Sequence, residues 1–273
     1  MSVGYQLALG TYGDEAKPRV GFFTDTSVCI GCKACEVACK EWNQVPEDGL
    51  EFTGWSYDNT KSLSADTWRH VAFVEQEQDA VDGPGGMRWL MSSDVCKHCT
   101  SAPCLEVCPT GALFRTEFGT VVVQADVCNG CGYCVPACPF GVISRREPDG
   151  RAWKCTLCYD RLKVGEEPAC AHACPTNSIQ FGELGDLRQR ARERVAELQA
   201  AGETSARLYL DDPDDGIAGG GAFFLLLDEP EVYGLPPDPV STTRDLGGMW
   251  RAAAAAGTVV AAGVALAFAG GRR

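Results

Sequence analysis

A cysteine thiolate is a soft metal ligand, and this chain gathers all sixteen of its cysteines into four groups of four. They are Cys29-x2-Cys32-x2-Cys35-x3-Cys39, Cys96-x2-Cys99-x4-Cys104-x3-Cys108, Cys128-x2-Cys131-x2-Cys134-x3-Cys138 and Cys155-x2-Cys158-x11-Cys170-x3-Cys174. In groups one and three the spacing lets three thiolates hold one iron–sulfur cube while the fourth reaches a neighbouring cube. Closing cysteines Cys108, Cys138 and Cys174 precede Pro109, Pro139 and Pro175, as that run requires. At four thiolates per centre, sixteen supply four [4Fe–4S] clusters. The chemistry expected is one-electron transfer.

Two other uses of cysteine fit less well. Disulfide scaffolds also carry even cysteine counts, but they spread them, whereas triplets two residues apart suit the corners of a cube better than cystine geometry. Structural zinc takes two C-x2-C pairs, which leaves the third and fourth cysteines of each ferredoxin-type run unexplained.

The 273 residues could form one large domain or two small ones. Hydrophobic content is 45%, much of it cysteine, alanine and valine, so clusters would supply much of the core and folding would be coupled to their insertion. The net charge of −13, with roughly −2 more per oxidised cluster and its thiolates, excludes a nucleic-acid partner and suits docking to partner subunits. From Met1 to Val20 no basic region leads into an apolar one, so no signal peptide is expected. The protein either stays in the cytoplasm or is exported folded with a partner that bears a twin-arginine signal.

The elements that position the cysteines repeat. Asp94-Val95-Cys96 recurs as Asp126-Val127-Cys128, and Cys108-Pro109-Thr110-Gly111, Cys138-Pro139-Phe140-Gly141 and Cys174-Pro175-Thr176-Asn177 each lead into an apolar segment, read as a turn and a short strand. Gly31, Gly130 and Gly132 flank cysteines, where a missing Cβ serves the turn and lets backbone N–H groups approach sulfur. Between groups one and two, His70–Val74 and Met87–Met91, split by Asp82-Gly83-Pro84-Gly85-Gly86, read as a hairpin. Leu184, Leu187, Ala191, Val195 and Leu198 mark a helix stopping near Gly202, with Arg188, Arg190, Arg192 and Arg194 as its solvated face. Leu208–Leu210 and Ala222–Leu227 read as strands, and the Pro-rich Gly234–Pro239 as a linker or an arm on a partner.

Ala252–Gly271 carries no charge. Twenty residues at a rise of about 1.5 Å span about 30 Å, a bilayer core. Its alanine and glycine make insertion marginal but allow close helix packing. A transmembrane anchor is expected, with a buried or peripheral helix as the alternative. Trp250 and Arg251 at one end, with Arg272 and Arg273 at the other, read as interfacial anchors. The terminal arginines favour a cytoplasmic C-terminus and an extracytoplasmic (periplasmic) cluster body; Arg251 opposes this, and the cytoplasmic side stays open.

The four-group pattern, with x4 in the second and x11 in the fourth, resembles the iron–sulfur subunits of molybdopterin oxidoreductases, and within them the β subunit of membrane-bound formate dehydrogenase. The residues that carry the likeness include Cys29-Ile30-Gly31-Cys32-Lys33-Ala34-Cys35, Glu41-Trp42-Asn43, Cys128-Asn129-Gly130-Cys131-Gly132-Tyr133-Cys134, Lys154-Cys155-Thr156-Leu157-Cys158, Asp160-Arg161, Gly165-x-Glu167-Pro168-Ala169-Cys170 and Tyr233-Gly234-Leu235-Pro236. Two departures are Lys40, where a proline would follow Cys39, and a C-terminal helix short of bulky apolar residues. Nitrate reductase relatives replace one cluster cysteine with tryptophan; the sixteen cysteines here argue against that branch.

The resemblance implies an α+β fold of two interleaved ferredoxin-like, two-cluster modules with a β-hairpin insertion and a C-terminal helix. Residues 20–45 with 150–182 form the module of groups one and four, 46–92 the insertion, 93–149 the module of groups two and three, 183–248 an extension and 249–273 the helix. It implies four ligand sets: Cys29, Cys32, Cys35 and Cys174; Cys39, Cys155, Cys158 and Cys170; Cys96, Cys99, Cys104 and Cys138; and Cys108, Cys128, Cys131 and Cys134. The first pair would lie nearer a molybdopterin (Mo or W) catalytic subunit, the second nearer a membrane cytochrome b or other quinone-reducing subunit.

The expected role is a non-catalytic electron-transfer subunit of a formate dehydrogenase complex. Its three histidines, His70, His98 and His172, show no carboxylate or hydroxyl partner in the sequence, and His98 and His172 read as packing or potential-tuning residues. Lys33, Lys97 and Lys154 adjoin cluster cysteines, where a cation raises a reduction potential unless it is solvated. The alternatives are the same wire serving sulfoxide, polysulfide, tetrathionate or hydrogenase chemistry, or a soluble polyferredoxin, which would need neither the apolar tail nor the extension after Cys174.

Overall fold

The computed structural model describes residues 17–49, 52–54, 57–78 and 86–270; Met1–Ala16, Asp82–Gly85 of the expected hairpin turn, and Arg272 and Arg273 lie outside them. Chain order is β1 (Val20–Asp25), α1 (Ala34–Asn43), β2 (Arg69–Gln78), β3 (Gly86–Val95), α2 (Pro103–Glu106), β4 (Leu113–Arg115), β5 (Val121–Val123), α3 (Cys134–Ala137), β6 (Ser144–Arg145), β7 (Ala152–Trp153), α4 (Tyr159–Lys163), α5 (Ala169–His172), β8 (Ile179–Glu183), α6 (Leu184–Ala200), β9 (Arg207–Tyr209), β10 (Ala222–Leu226) and α7 (Leu246–Gly270).

The unbroken apolar run of β10 is the pattern of a strand buried on both faces, and all five of its residues are buried. It pairs in parallel with β1 in a sheet of order β8–β1–β10–β9, and β1 pairs antiparallel with β8. The strand before group one is thereby bonded to the strand after group four. Side chains alternate along β1. Phe22 packs among Cys35, Cys39, Cys155 and Cys170, whereas Phe23 packs against Leu184, Leu187 and Ala191 of α6. Both phenylalanines are fully buried, each worth about 1.5–3 kcal/mol. One sheet thus backs the cysteines and is itself backed by a helix.

Proline sets the length of the cysteine-bearing helices. A residue before proline is disfavoured in the helical region, and α2, α3 and α5, each followed by Cys-Pro, have four residues apiece. Group one has Lys40 after Cys39, and α1 runs on for ten residues. The segments after the three Cys-Pro turns form β4, β6 and β8 as expected; β4 pairs with β5 and β6 with β7.

The hairpin is longer than the sequence predicts. β2 and β3 pair from Arg69↔Val95 to Gln78↔Gly86, so β3 ends directly before Cys96 and ties groups one and two together. Two further expectations are corrected. Arg188 is buried rather than solvated, donating to the Gly220 carbonyl at 3.2 Å and lying over the Phe223 ring, because it falls on the α6 face that meets the sheet. Gly234–Pro239 lies on its own body: Leu235 is buried and Tyr209 Oη donates to the Pro236 carbonyl at 2.5 Å. α7 starts at Leu246 rather than at the expected 249, is long and apolar enough to cross a membrane, and has none of its most apolar stretch buried against the protein.

Candidate metal centres: four cysteine quartets

Each cysteine group opens on a left-handed turn. The residue before the second cysteine is Gly31, His98, Gly130 or Leu157, with φ of +64°, +43°, +74° and +58°. That conformation curls successive N–H groups into an anion-binding concavity. At Gly31 and Gly130 space also forbids a side chain, since a Cβ would lie 2.6 Å from the Phe73 ring and 2.5 Å from the Gly150 carbonyl. Non-glycine residues pay strain there, and packing holds them. Leu157 is fully buried and its N–H reaches Cys155 Sγ at 3.3 Å. His98 Nδ1 accepts the Val121 N–H at 3.1 Å, while its carbonyl accepts from Arg19 Nη2 at 2.7 Å. Glycine flagged two of these turns in the sequence; aligning the groups would have flagged His98 and Leu157.

Other donors converge on sulfur. The Gly31 N–H reaches Cys29, the Ala152 N–H reaches Cys128 Sγ at 3.4 Å, and Asn43 Nδ2 lies 3.8 Å from Cys39 Sγ and 3.7 Å from Cys158 Sγ. After Cys-Pro the turn does the same, with the N–H groups of Phe140, Gly141 and Val142 on Cys138. These bonds favour anionic sulfur.

The fold brings distant cysteines together. Cys29, Cys32, Cys35 and Cys174 border one small cavity, with Ser93 and Ser178. Cys96, Cys99, Cys104 and Cys138 border another, with Lys97, His98 and Lys154. Cys39 has Cys155, Cys170 and Cys158 as charged neighbours, and Cys134 has Cys128, Cys131 and Cys108. Among the described residues no three His, Cys, Asp or Glu side chains close on one point as ligands of a single ion do; four thiols around a space fit a cube instead.

Burial, reinforced by neighbouring cysteines, raises most of these thiols. Cys104 is pushed up to about 12 and Cys134 to about 11. Cys39, Cys99 and Cys155 are raised as well, burial leading in each. Cys108 departs from this trend: burial raises it, but the N–H of Leu113, the Thr110 hydroxyl and the N–H groups of Thr110 and Ala112 together hold it below the ordinary value. Metal insertion must therefore displace protons from most quartets.

Cations lie inside this sulfur-rich core. Lys97 and Lys154 are buried, not solvated. Lys97 Nζ pairs with Asp94 and sits over the Phe140 and Phe224 rings. Lys154 Nζ donates to the carbonyls of Val121 and Cys155. Lys33 is partly exposed and pairs with Glu36 and Asp58. Arg69, which the sequence did not single out, is buried beside four cysteines: burial alone would lower it, but Cys170, Cys35, Cys155 and Cys39 raise it. The histidines also differ from expectation. His70 Nε2 lies 2.7 Å from Asp58 Oδ2, twelve residues away along the chain, and His172 Nδ1 2.9 Å from Glu167 Oε1, only five residues before it. His98 is buried, and burial with Lys154, Arg19, Arg115 and Arg69 pushes it well below its ordinary value, leaving a neutral imidazole.

Paired cysteine-lined turns, short strand pairs and N–H donors aimed at sulfur define a multi-cluster ferredoxin-type electron-transfer protein. Two 4Fe-4S dicluster domain profiles match it, over residues 28–112 and 87–184. It is 41% identical over 261 residues to the iron–sulfur subunit of nitrate-inducible formate dehydrogenase of Escherichia coli (strain K12), covering 94% of this chain and 84% of that one. It is 42% identical over 229 residues to the formate dehydrogenase iron–sulfur subunit of Haemophilus influenzae, covering 82% and 71%. Against the B subunit of anaerobic dimethyl sulfoxide reductase of Escherichia coli it is 36% identical over 185 residues, covering 65% and 80%. The protein belongs to the family of formate dehydrogenase iron–sulfur subunits. It carries multiple [4Fe–4S] clusters and is an electron-transfer subunit, not itself catalytic.

Proposed function

We propose that this chain conducts electrons from a molybdopterin-type formate dehydrogenase catalytic subunit to a membrane quinone-reducing subunit, such as a cytochrome b. Four [4Fe–4S] clusters would be held by Cys29, Cys32, Cys35 and Cys174; Cys39, Cys155, Cys158 and Cys170; Cys96, Cys99, Cys104 and Cys138; and Cys108, Cys128, Cys131 and Cys134. Each cluster, when bound, exchanges one electron at a time. The protein's part is to hold the four sets in series, exclude water and aim N–H dipoles at sulfur.

The observation that carries this reading is that each set lies within electrostatic reach of the next. Cys35 of the first set feels Cys170 of the second, Cys155 of the second feels Cys96 of the third, and Cys104 of the third feels Cys134 of the fourth. Such a series has two ends, and Cys32 and Cys131, one at each, are exposed. Interleaving of the modules at 20–45 with 150–182 and at 93–149 is supported by the β1–β8 pairing and by the packing of α1 on α5 and of α2 on α3. A membrane partner on the side of the third and fourth sets is supported by Thr242, just before α7, which donates at 3.4 Å to the carbonyl of Ala137, between Cys134 of the fourth set and Cys138 of the third. α7 would then anchor the complex, with the cluster body on the periplasmic side.

The test is low-temperature EPR on the complex purified from native membranes, before and after anaerobic addition of formate. Reduced [4Fe–4S] signals on formate addition support substrate and wire together. Reduction by dithionite but not by formate, in a complex that retains its pterin subunit, removes the formate assignment and leaves the wire.

A further inference from the structure

Arg69 opens β2, and its guanidinium is buried where the first two cysteine sets meet. Nη1 donates at 3.1 Å to both the carbonyl and the hydroxyl of Ser93, and that hydroxyl lies 3.2 Å from Cys35 Sγ. Arg69 also holds the Cys170 thiol down electrostatically, against the burial that raises it. One face of the guanidinium lies over the Phe22 ring, 4.8 Å from its centroid. Nε and Nη2 have no hydrogen-bond partner, and among the described residues no carboxylate pairs with Arg69. A buried cation without a counter-ion is strongly disfavoured. Among the described residues, the groups that favour its charge are four cysteine sulfurs, Cys35 of the first set and Cys39, Cys155 and Cys170 of the second.

We propose that Arg69 is the shared counter-charge of the first two clusters, a positioning residue that raises the reduction potentials of both. The inference rests on the ligand sets proposed above. Adding one electron to a cluster takes it and its thiolates from a charge of roughly −2 to one unit more negative. A fixed cation beside the ligand sulfurs stabilises the more negative form. Because Arg69 lies among sulfurs of both sets and reaches Cys35 through Ser93, it favours the electron on either side of the junction. Lysine can keep the charge; glutamine keeps much of the shape and hydrogen bonding but not the charge.

The experiment compares Arg69→Gln and Arg69→Lys in the intact membrane complex, by iron and labile-sulfide content and by EPR-monitored redox titration with dithionite as the electron donor. If Arg69→Gln loads four clusters, two of the four midpoint potentials fall and two stay, while Arg69→Lys stays near wild type. If Arg69→Gln cannot load, its iron drops by about half, whereas Arg69→Lys loads fully; that too supports a requirement for charge. Unchanged midpoints in a fully loaded Arg69→Gln complex overturn the proposal. So does a uniform shift of all four, or equal cluster loss in both variants, which would mark a demand for the shape of arginine. Four [4Fe–4S] signals in the wild-type complex keep the ligand-set reading intact even if the Arg69 proposal falls.

Discussion

At the scale of single residues, the site is governed by where positive charge is buried. Lys154 borders the cavity of Cys96, Cys99, Cys104 and Cys138, and its ammonium is capped by the carbonyls of Val121 and Cys155. It is thus the second buried cation at a junction between sets, one step further along than Arg69. A unit charge about 10 Å away at an effective dielectric of about 20 is worth about 1.7 kcal/mol, or roughly 70 mV for one electron. Lys154→Met should lower the midpoint potential of the third set's cluster by an amount of that order, read by EPR redox titration. A fully loaded variant with an unshifted titration would show that backbone dipoles compensate the lost charge. Lys97 is a weaker candidate, because Asp94 already neutralises it. Residue type and neighbours along the chain placed these lysines beside cysteines; they could not tell a buried ammonium from a solvated one.

At the scale of elements, the four groups vary one plan: a left-handed turn, a helical turn carrying a cysteine, and a proline that ends it. Group one breaks the plan at Lys40, and the extra helical turn carries Trp42 and Asn43. Trp42 Nε1 donates to Asp160 at 2.9 Å and the indole stacks under Arg161, while Asn43 reaches two cysteine sulfurs. Lys40→Pro should cost about 3 kcal/mol by removing an internal helix bond and clashing with the preceding turn. Lys40→Ala loses only the bonds of Nζ to the Pro46 and Asp66 carbonyls and the ion pair with Asp48. Thermal unfolding of the complex should therefore fall much further for proline than for alanine. Equal losses would place the role of Lys40 in its ammonium rather than in the helix.

At the scale of the whole molecule, the sheet and α6 form a platform on which the cysteine-bearing turns rest, and α7 projects from it. Ending the chain at Asp245 should leave the platform and all sixteen cysteines in place. After a high-salt wash, membranes should retain the full chain and release the shortened one, with iron per chain unchanged; retention of both would assign anchoring to the partner subunits alone. The sequence by itself determined the cofactor class, the four cysteine groups, the helix of residues 184–200 and the apolar C-terminal helix. These depend on residue type and on spacings within a turn or two, where local geometry leaves little choice. It also carried the family resemblance, since the motifs around Cys29, Cys128 and Cys155 are contiguous. Only the tertiary structure decided that β1 bonds to β8, that Arg69, Lys154 and Arg188 are buried, and that His70 meets Asp58. Burial and counter-charge are set by segments that meet in space without being near in sequence, and Arg69 is enclosed by residues from β1, α1, β3 and α5 that no local pattern links.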